Sequence, residues 1–258
     1  MIITLEQLEV FLLILARVAG IFIEAPVLST RTIPATIKVA LAIWISMVLW
    51  FVVPLKGPLP TDLLIFVLAL ANEVLIGFII GFVCFLIYAA IQAAGDIMDL
   101  QMGMSIATVM SPTTGGVVSL IGLLAFMLGT VIFLVANGHH LVLSAFVQSF
   151  RILPLSMPVN PANVNFMTQV IELGRGFWLV AVQLSAPVVL LLFLTDFAFG
   201  IVSRVAPQVN VFMLGFQVKP TIGFVAILLV MPLFVRHIVG LIEKIGAELL
   251  RTMVFLKP

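Results

Sequence analysis

The chain has 258 residues, of which 63% are hydrophobic and 9% charged, with a formal net charge of +1. Twelve Lys and Arg against eleven Asp and Glu cannot clothe a water-soluble sphere of this size, where about a quarter of residues are charged. A soluble globular domain and a basic surface for nucleic acid are both excluded; lipid or the apolar flanks of other subunits must cover the rest.

The first nine residues carry Glu6 and Glu9 but no basic leader region. No small-residue cleavage site precedes a polar mature part, so the first apolar stretch is read as a retained helix. A crossing helix needs about 20 apolar residues. Stretches of that kind run, whole or in part, over Leu8–Leu28, Ile33–Val53, Leu63–Ile91, Val117–Ala136, Phe177–Val202 and Val211–Val235, with a shorter run at His140–Phe150. They predict an all-α, integral membrane-type protein of about six long kinked apolar helices, in a single domain over 1–258. Breakers fall between them. Pro26 and Pro34 flank a polar Ser29–Thr32; Pro54, Pro58 and Pro60 mark a loop; Pro154, Pro158 and Pro161 mark another; Pro207 and Pro220 bracket a short link. The runs lack the alternation of barrel strands, and no internal repeat is visible. The lone Cys84 rules out an intrachain disulfide and reads as a small buried hydrophobe. Arg236, Lys244, Arg251 and Lys257 in the tail favour a cytoplasmic C-terminus.

Several ionisable residues lie within or beside the apolar runs: Arg17, Glu24, Glu73, Asp196 and Arg204. A charge at the bilayer centre costs about 2.5–3.5 kcal/mol on insertion scales, so these residues should face protein or water. Arg17 and Glu24 are seven apart, on one helix face. Asp196, Gly200 and Arg204 form a stripe at four-residue spacing. So do Glu73, Gly77 and Gly81, which Cys84 and Tyr88 extend. Small residues at that spacing let helix backbones approach closely. Ion pairing between subunits and an ordinary seam within one chain both fit.

Gly95–Gly116, GDIMDLQMGMSIATVMSPTTGG, is neither a clean span nor fully polar. Met98, Met102, Met104 and Met110 are flexible and polarizable and suit an irregular gap. Gly103, Gly115 and Gly116 permit backbone shapes that other residues resist. Such a segment is either functional, as a re-entrant stretch beside protein or a water-filled cavity, or an interfacial linker. Asp96 and Asp99, three apart, share a face and suit a helix end or polar contact better than acid–base chemistry. Adjacent His139 and His140 point about 100° apart on a helix, which is poor geometry for one metal. No HExxH, P-loop, GxSxG or paired-Cys motif is present, so no catalytic, cofactor or metal site is expected.

Taken together and in order, these residues resemble the FliR family of type III export gate subunits, whose injectisome relatives form the SctT group. The opening pattern is Arg17, Ala25-Pro26, Ile33-Pro34 and Lys38, followed by Glu73, Gly77 and Gly81. The centre matches at Gly95-Asp96, Gln101-Met102-Gly103, Ser105 and Pro112. Asn137-Gly138-His139 and the Pro154 loop follow, then Arg204, Ala206-Pro207-Gln208, Asn210, Phe212, Gly215-Phe216 and Lys219. Two positions depart from the pattern: Ser111 where Asp is common, and Gln217 where Pro is common.

The resemblance implies a channel subunit that completes a helical gate with FliP-like and FliQ-like subunits. FlhB-like and FlhA-like export proteins stand beside it, and unfolded exported proteins pass through. It implies the bacterial inner membrane at the flagellar basal body and no cofactor. It also implies that the assembled gate sits largely above the bilayer, so that hydropathy overstates the true crossings. A plug loop would map onto Met104–Gly116, with Met102, Met104, Ile106, Val109, Met110 and Gly115 forming the seal. Glu73, Asp96, Asp196, Arg204 and Lys219 are the expected contacts between helices or subunits. The Gly215-Phe216 and Lys219 string leans flagellar rather than injectisome. The competing reading is a small-molecule secondary transporter, whose broken helices and intramembrane charges are similar, although no inverted repeat appears. A membrane-embedded enzyme would need a constellation that is not there.

Overall fold

The computed structural model describes residues 5–26, 29, 33–53, 62–104 and 119–257. All regular structure among them is helical: α1 Leu5–Glu24, α2 Ala35–Trp50, α3 Leu63–Met102, α4 Leu120–Val135, α5 Gly138–Ile152, α6 Val164–Val205 and α7 Val211–Phe255.

The expected count of six long apolar helices is not met. Only α3, α6 and α7 are long and apolar enough to cross a membrane, or four spans if α4 and α5 count as one broken by a 71° bend. The reasons are physical. α2 has 16 residues, short of a crossing. α1 carries Glu6, Glu9, Arg17 and Glu24 within its 20 residues. The expected run Phe177–Val202 is the inner part of a helix of 42 residues, and Val211–Val235 is the first part of one of 45. At 1.5 Å per residue the longer one spans about 68 Å, over twice the thickness of the hydrocarbon core. Helical hydrogen bonding therefore runs on well past the apolar stretch. Pro187, Pro220 and Pro232 sit inside these helices without ending them, although each lacks an amide donor. The bend between α4 and α5 falls at Asn137, which has a left-handed φ of 56°, a conformation that Asn tolerates.

The chain divides into two compact units. The first comprises Met1–Leu86, Asn137–Gly174 and Ile242–Pro258. In it α1 buries Val10, Leu13, Ile14, Arg17, Val18 and Ile21, the i, i+3, i+4, i+7 stripe of a one-faced helix. That face meets α3 at glycines. A Cβ on Gly77 would collide with the Arg17 carbonyl, and one on Gly20 with the Val74 carbonyl; one on Gly81 would lie 2.9 Å from the Ile21 carbonyl oxygen. Phe11 of α1 meets Trp50 of α2 edge-on, at 6.2 Å between ring centres.

The second unit comprises Ile87–Ala136 and Arg175–Leu241. Here α3 and α4 cross at Gly95 and Gly122, where a Cβ on Gly95 would stand 2.6 Å from the Gly122 Cα. Tyr88 packs between Phe126 and Phe133, with ring centres 5.7 and 5.6 Å away. Ser119 caps α4 by accepting the Gly122 amide at 2.8 Å.

Gly77→Ala should cost about 1–3 kcal/mol through overpacking against backbone. Gly174→Ala, where an added Cβ meets nothing within 4 Å, should be neutral or stabilise α6 by up to about 1 kcal/mol. Thermal unfolding of both variants in detergent, followed by circular dichroism, checks this. Equal effects would mean that α1 and α3 do not cross at Gly77.

Candidate functional site

Polar and charged side chains gather at one place in each unit. In the first unit the centre is Arg17, fully buried, ion-paired through Nε with the equally buried Glu73. Each of its other two nitrogens donates as well. Nη1 donates to Ser149 Oγ at 3.2 Å and Nη2 to the Leu153 carbonyl at 3.0 Å. The guanidinium lies over the Phe150 ring, 4.3 Å from its centre, a cation–π contact that favours Arg.

Glu73 accepts the Ser156 amide on its other oxygen, at 3.0 Å. Ser156 is held with φ at 63°, strained for a residue with a side chain. Beside Glu73, Asn72 donates to the Met157 carbonyl at 2.8 Å and accepts the Val159 amide at 3.3 Å. Three side chains from α1 and α3 thus hold the segment after α5 by its backbone. Arg17 and Glu73 stand out in the sequence as charges in apolar runs. The i+7 spacing aligns Arg17 with Glu24, yet its partner is Glu73. Nothing in the sequence singles out Asn72 or Ser149.

In the second unit, α3 ends in a closed cap. The Gly103 amide donates to the Leu100 carbonyl at 3.1 Å and the Met104 amide to the Asp99 carbonyl at 3.2 Å. Gly103 has φ at 79°. These are the two bonds and the left-handed glycine of a Schellman motif. Met102 is fully buried, and its thioether occupies the space that a Cβ on Gly223 would fill, 2.6–2.7 Å away. A Cβ on Gly103 would stand 3.8 Å from the Phe216 ring. Around this end lies an open groove of about 550 Å³, lined by Met102 and Gly103 with Asp196, Gly200, Phe212, Gly215, Phe216 and Lys219. Lys219 and Asp196 form an ion pair on its wall, about a quarter and two-fifths exposed.

Of the other expected residues, Met104 is half-buried and Asp96 is exposed, its carboxylate against Gly122. Arg204 is exposed and has no partner among the described residues. Ile106, Val109, Met110 and Gly115 lie outside the described residues. No group of three or more His, Cys, Asp or Glu among the described residues could hold a metal ion. The His139 and His140 rings, expected to diverge, approach to 4.3 Å between centres at the start of α5. Burial, ion pairing and grooves of this kind suit holding helices and a polypeptide segment in place.

The family model described as bacterial export proteins, family 1, matches residues 8–245. The flagellar biosynthetic protein FliR of Bacillus subtilis (strain 168) is 32% identical over 228 residues, 88% of each chain. That of Escherichia coli (strain K12) is 30% identical over 249 residues, 95% of this chain and 94% of its own. That of Aquifex aeolicus (strain VF5) is 29% identical over 236 residues, 88% and 87% respectively.

Arg17→Met should cost about 3–5 kcal/mol, because it strands the Glu73 carboxylate in the interior. Arg17→Met with Glu73→Leu should recover part of that loss. Lys219→Ala, at a partly exposed pair, should cost no more than about 1 kcal/mol. Unfolding of the three variants by denaturing detergent ranks them; an Arg17→Met protein as stable as the parent would refute the buried pair.

Proposed function

This chain belongs to the bacterial export proteins of family 1, and from that premise we propose that it is a non-enzymatic channel subunit of the flagellar type III protein export gate. Its relatives are flagellar biosynthetic proteins, which favours the flagellar system over an injectisome. The observation that carries the subunit role is the bare apolar surface of the long helices. Only 28% of the most apolar stretch of α6 and 22% of that of α7 is buried, against 50% in α3. Lipid tails or other helices must cover such faces.

FliP-like and FliQ-like subunits supply that cover and are completed by this chain into a helical ring. FlhB-like and FlhA-like proteins stand beside it, in the bacterial inner membrane at the flagellar basal body. Residues 1–258 act as one export-gate domain. The segment after α3, with Met102, Met104, Ile106, Val109, Met110 and Gly115, seals the resting channel and moves aside when unfolded proteins pass. Glu73, Asp96, Asp196 and Lys219 hold helices in register. Arg204, exposed and unpaired within the described chain, meets an acidic group of a neighbouring subunit.

Mild-detergent purification of the tagged chain, co-expressed with its partners and weighed by native mass spectrometry, should yield one copy with several small apolar subunits. Recovery alone or as a homodimer would overturn the gate reading. Deleting Met104–Gly116 should make membranes that carry the assembled complex leaky to small solutes. An assembled deletion complex as tight as the parent would sink the plug role.

A further inference from the structure

In the second unit both long helices lose backbone bonding at one level. Pro187 of α6 and Pro232 of α7 carry no amide hydrogen. The carbonyls four residues earlier, on Gln183 and Leu228, therefore go without their helical donors. Beside Pro187, Ser185 Oγ donates to the Val182 carbonyl at 3.2 Å, a back-bond of the kind that bends helices. Packing is loose at the same level. A cavity of about 20 Å³ is lined on α6 by Leu184 and Val188, which flank Pro187, and on α7 by Met231 and Phe234, which flank Pro232. Met98 of α3 and Ala125 of α4 add to its wall. The space would admit one water, but every described residue around it is apolar. It stays dry, and its walls go without contacts there. Beyond the prolines the two helices are tied to each other. Lys219 pairs with Asp196, and in the link over residues 206–210 the Val209 amide donates to the Ala206 carbonyl at 3.0 Å. Pro220 falls within this tied part, next to Lys219. The tied part meets the end of α3 through a flexible side chain, the Met102 thioether seated in the notch at Gly223.

We propose that residues 188–231 form a hinged arm: α6 and α7 bend together at Pro187 and Pro232, and Met102 latches the arm to α3 at Gly223. A bend needs slack in the backbone bonding and in the packing at the same place, and both helices have it at this cavity. The groove of about 550 Å³ lies between the parts that the bend separates. The end of α3, from Leu100 to Gly103, forms one wall; Asp196, Phe212 and Lys219 on the other belong to the arm. Swinging the arm widens the groove without breaking the ion pair, since both partners ride on it. The arm's part in the passage of proteins rests on the gate reading. The hinge itself stands on the prolines, the cavity and the latch.

The test uses the full chain in complex with its partners. Cys84 is replaced by Ala, and spin labels are placed at Leu100→Cys and Met213→Cys, exposed positions on α3 and on the arm. The parent should give a short and a long label-to-label distance. Pro187→Ala with Pro232→Ala restores both amides and should give the short distance only. Ala125→Val fills the cavity and should shift the distribution the same way, which keeps the test open if the double variant does not assemble. Gly223→Ala pushes Met102 out of its notch. It should raise the ratio of long to short distances about fivefold or more, the low end of an overpacking cost. One distance, the same in the parent and in Gly223→Ala, overturns the hinge. So do two distances that neither proline replacement nor cavity filling shifts. In cells the double proline variant should lose protein export. Normal export through a complex held at the short distance overturns the arm's part in passage. If native mass spectrometry returns the chain without partners, the gate reading has failed, and the distances alone decide the hinge.

Discussion

A guanidinium cannot be left bare in an apolar interior, and in the first unit nearly everything follows from that requirement. Arg17 is fully buried, so each of its nitrogens needs a partner. Meeting them draws in α3 through Glu73, the end of α5 through Ser149 and Phe150, and the following backbone through Leu153. α1 reaches α3 only because Gly20, Gly77 and Gly81 leave no side chains in the way. The glycines and the ion pair are therefore one device, close approach on one side and compensation on the other. Replacing such a pair with apolar residues is often harmless elsewhere. Here it would also free the Ser156 amide and the Leu153 carbonyl.

The second unit is organised differently. Its ion pair, Asp196 with Lys219, is partly exposed and contributes little stability. Order comes instead from helix ends. The Schellman closure at Gly103, the Ser119 cap and the thioether of Met102 against Gly223 fix where helices stop and start. Such features are local and separable, as befits the unit that carries the groove.

Much of the helical frame was legible from hydropathy and breakers. The turn at Asn137-Gly138 and the stripe of Glu73, Gly77 and Gly81 both correspond to features of the fold. Helix lengths were not legible, because hydropathy tracks apolar surface, whereas a helix persists as long as its amides find carbonyls. So α6 starts at Val164 rather than Phe177, and α7 runs on to Phe255 past Val235. The partner of Arg17 was hidden for a related reason. Periodicity aligns residues along one helix, and Glu73 lies 56 positions away. Asn72 and Ser149 are ordinary polar residues until the backbone they hold is seen. The spacing of Asp96 and Asp99 pointed to a helix end but could not tell which aspartate would turn inward.

The bare flanks of α6 and α7 also bear on the life of the molecule in a cell. A newly made copy that has not met its neighbours displays Phe193, Phe197, Leu228 and Leu229 to whatever is near. Surface of that kind invites chaperones, clumping and proteolytic clearance. In the proposed gate, steady-state abundance would then follow the supply of neighbours more than the rate of synthesis, and balanced production of the set would be a requirement written into two helix faces.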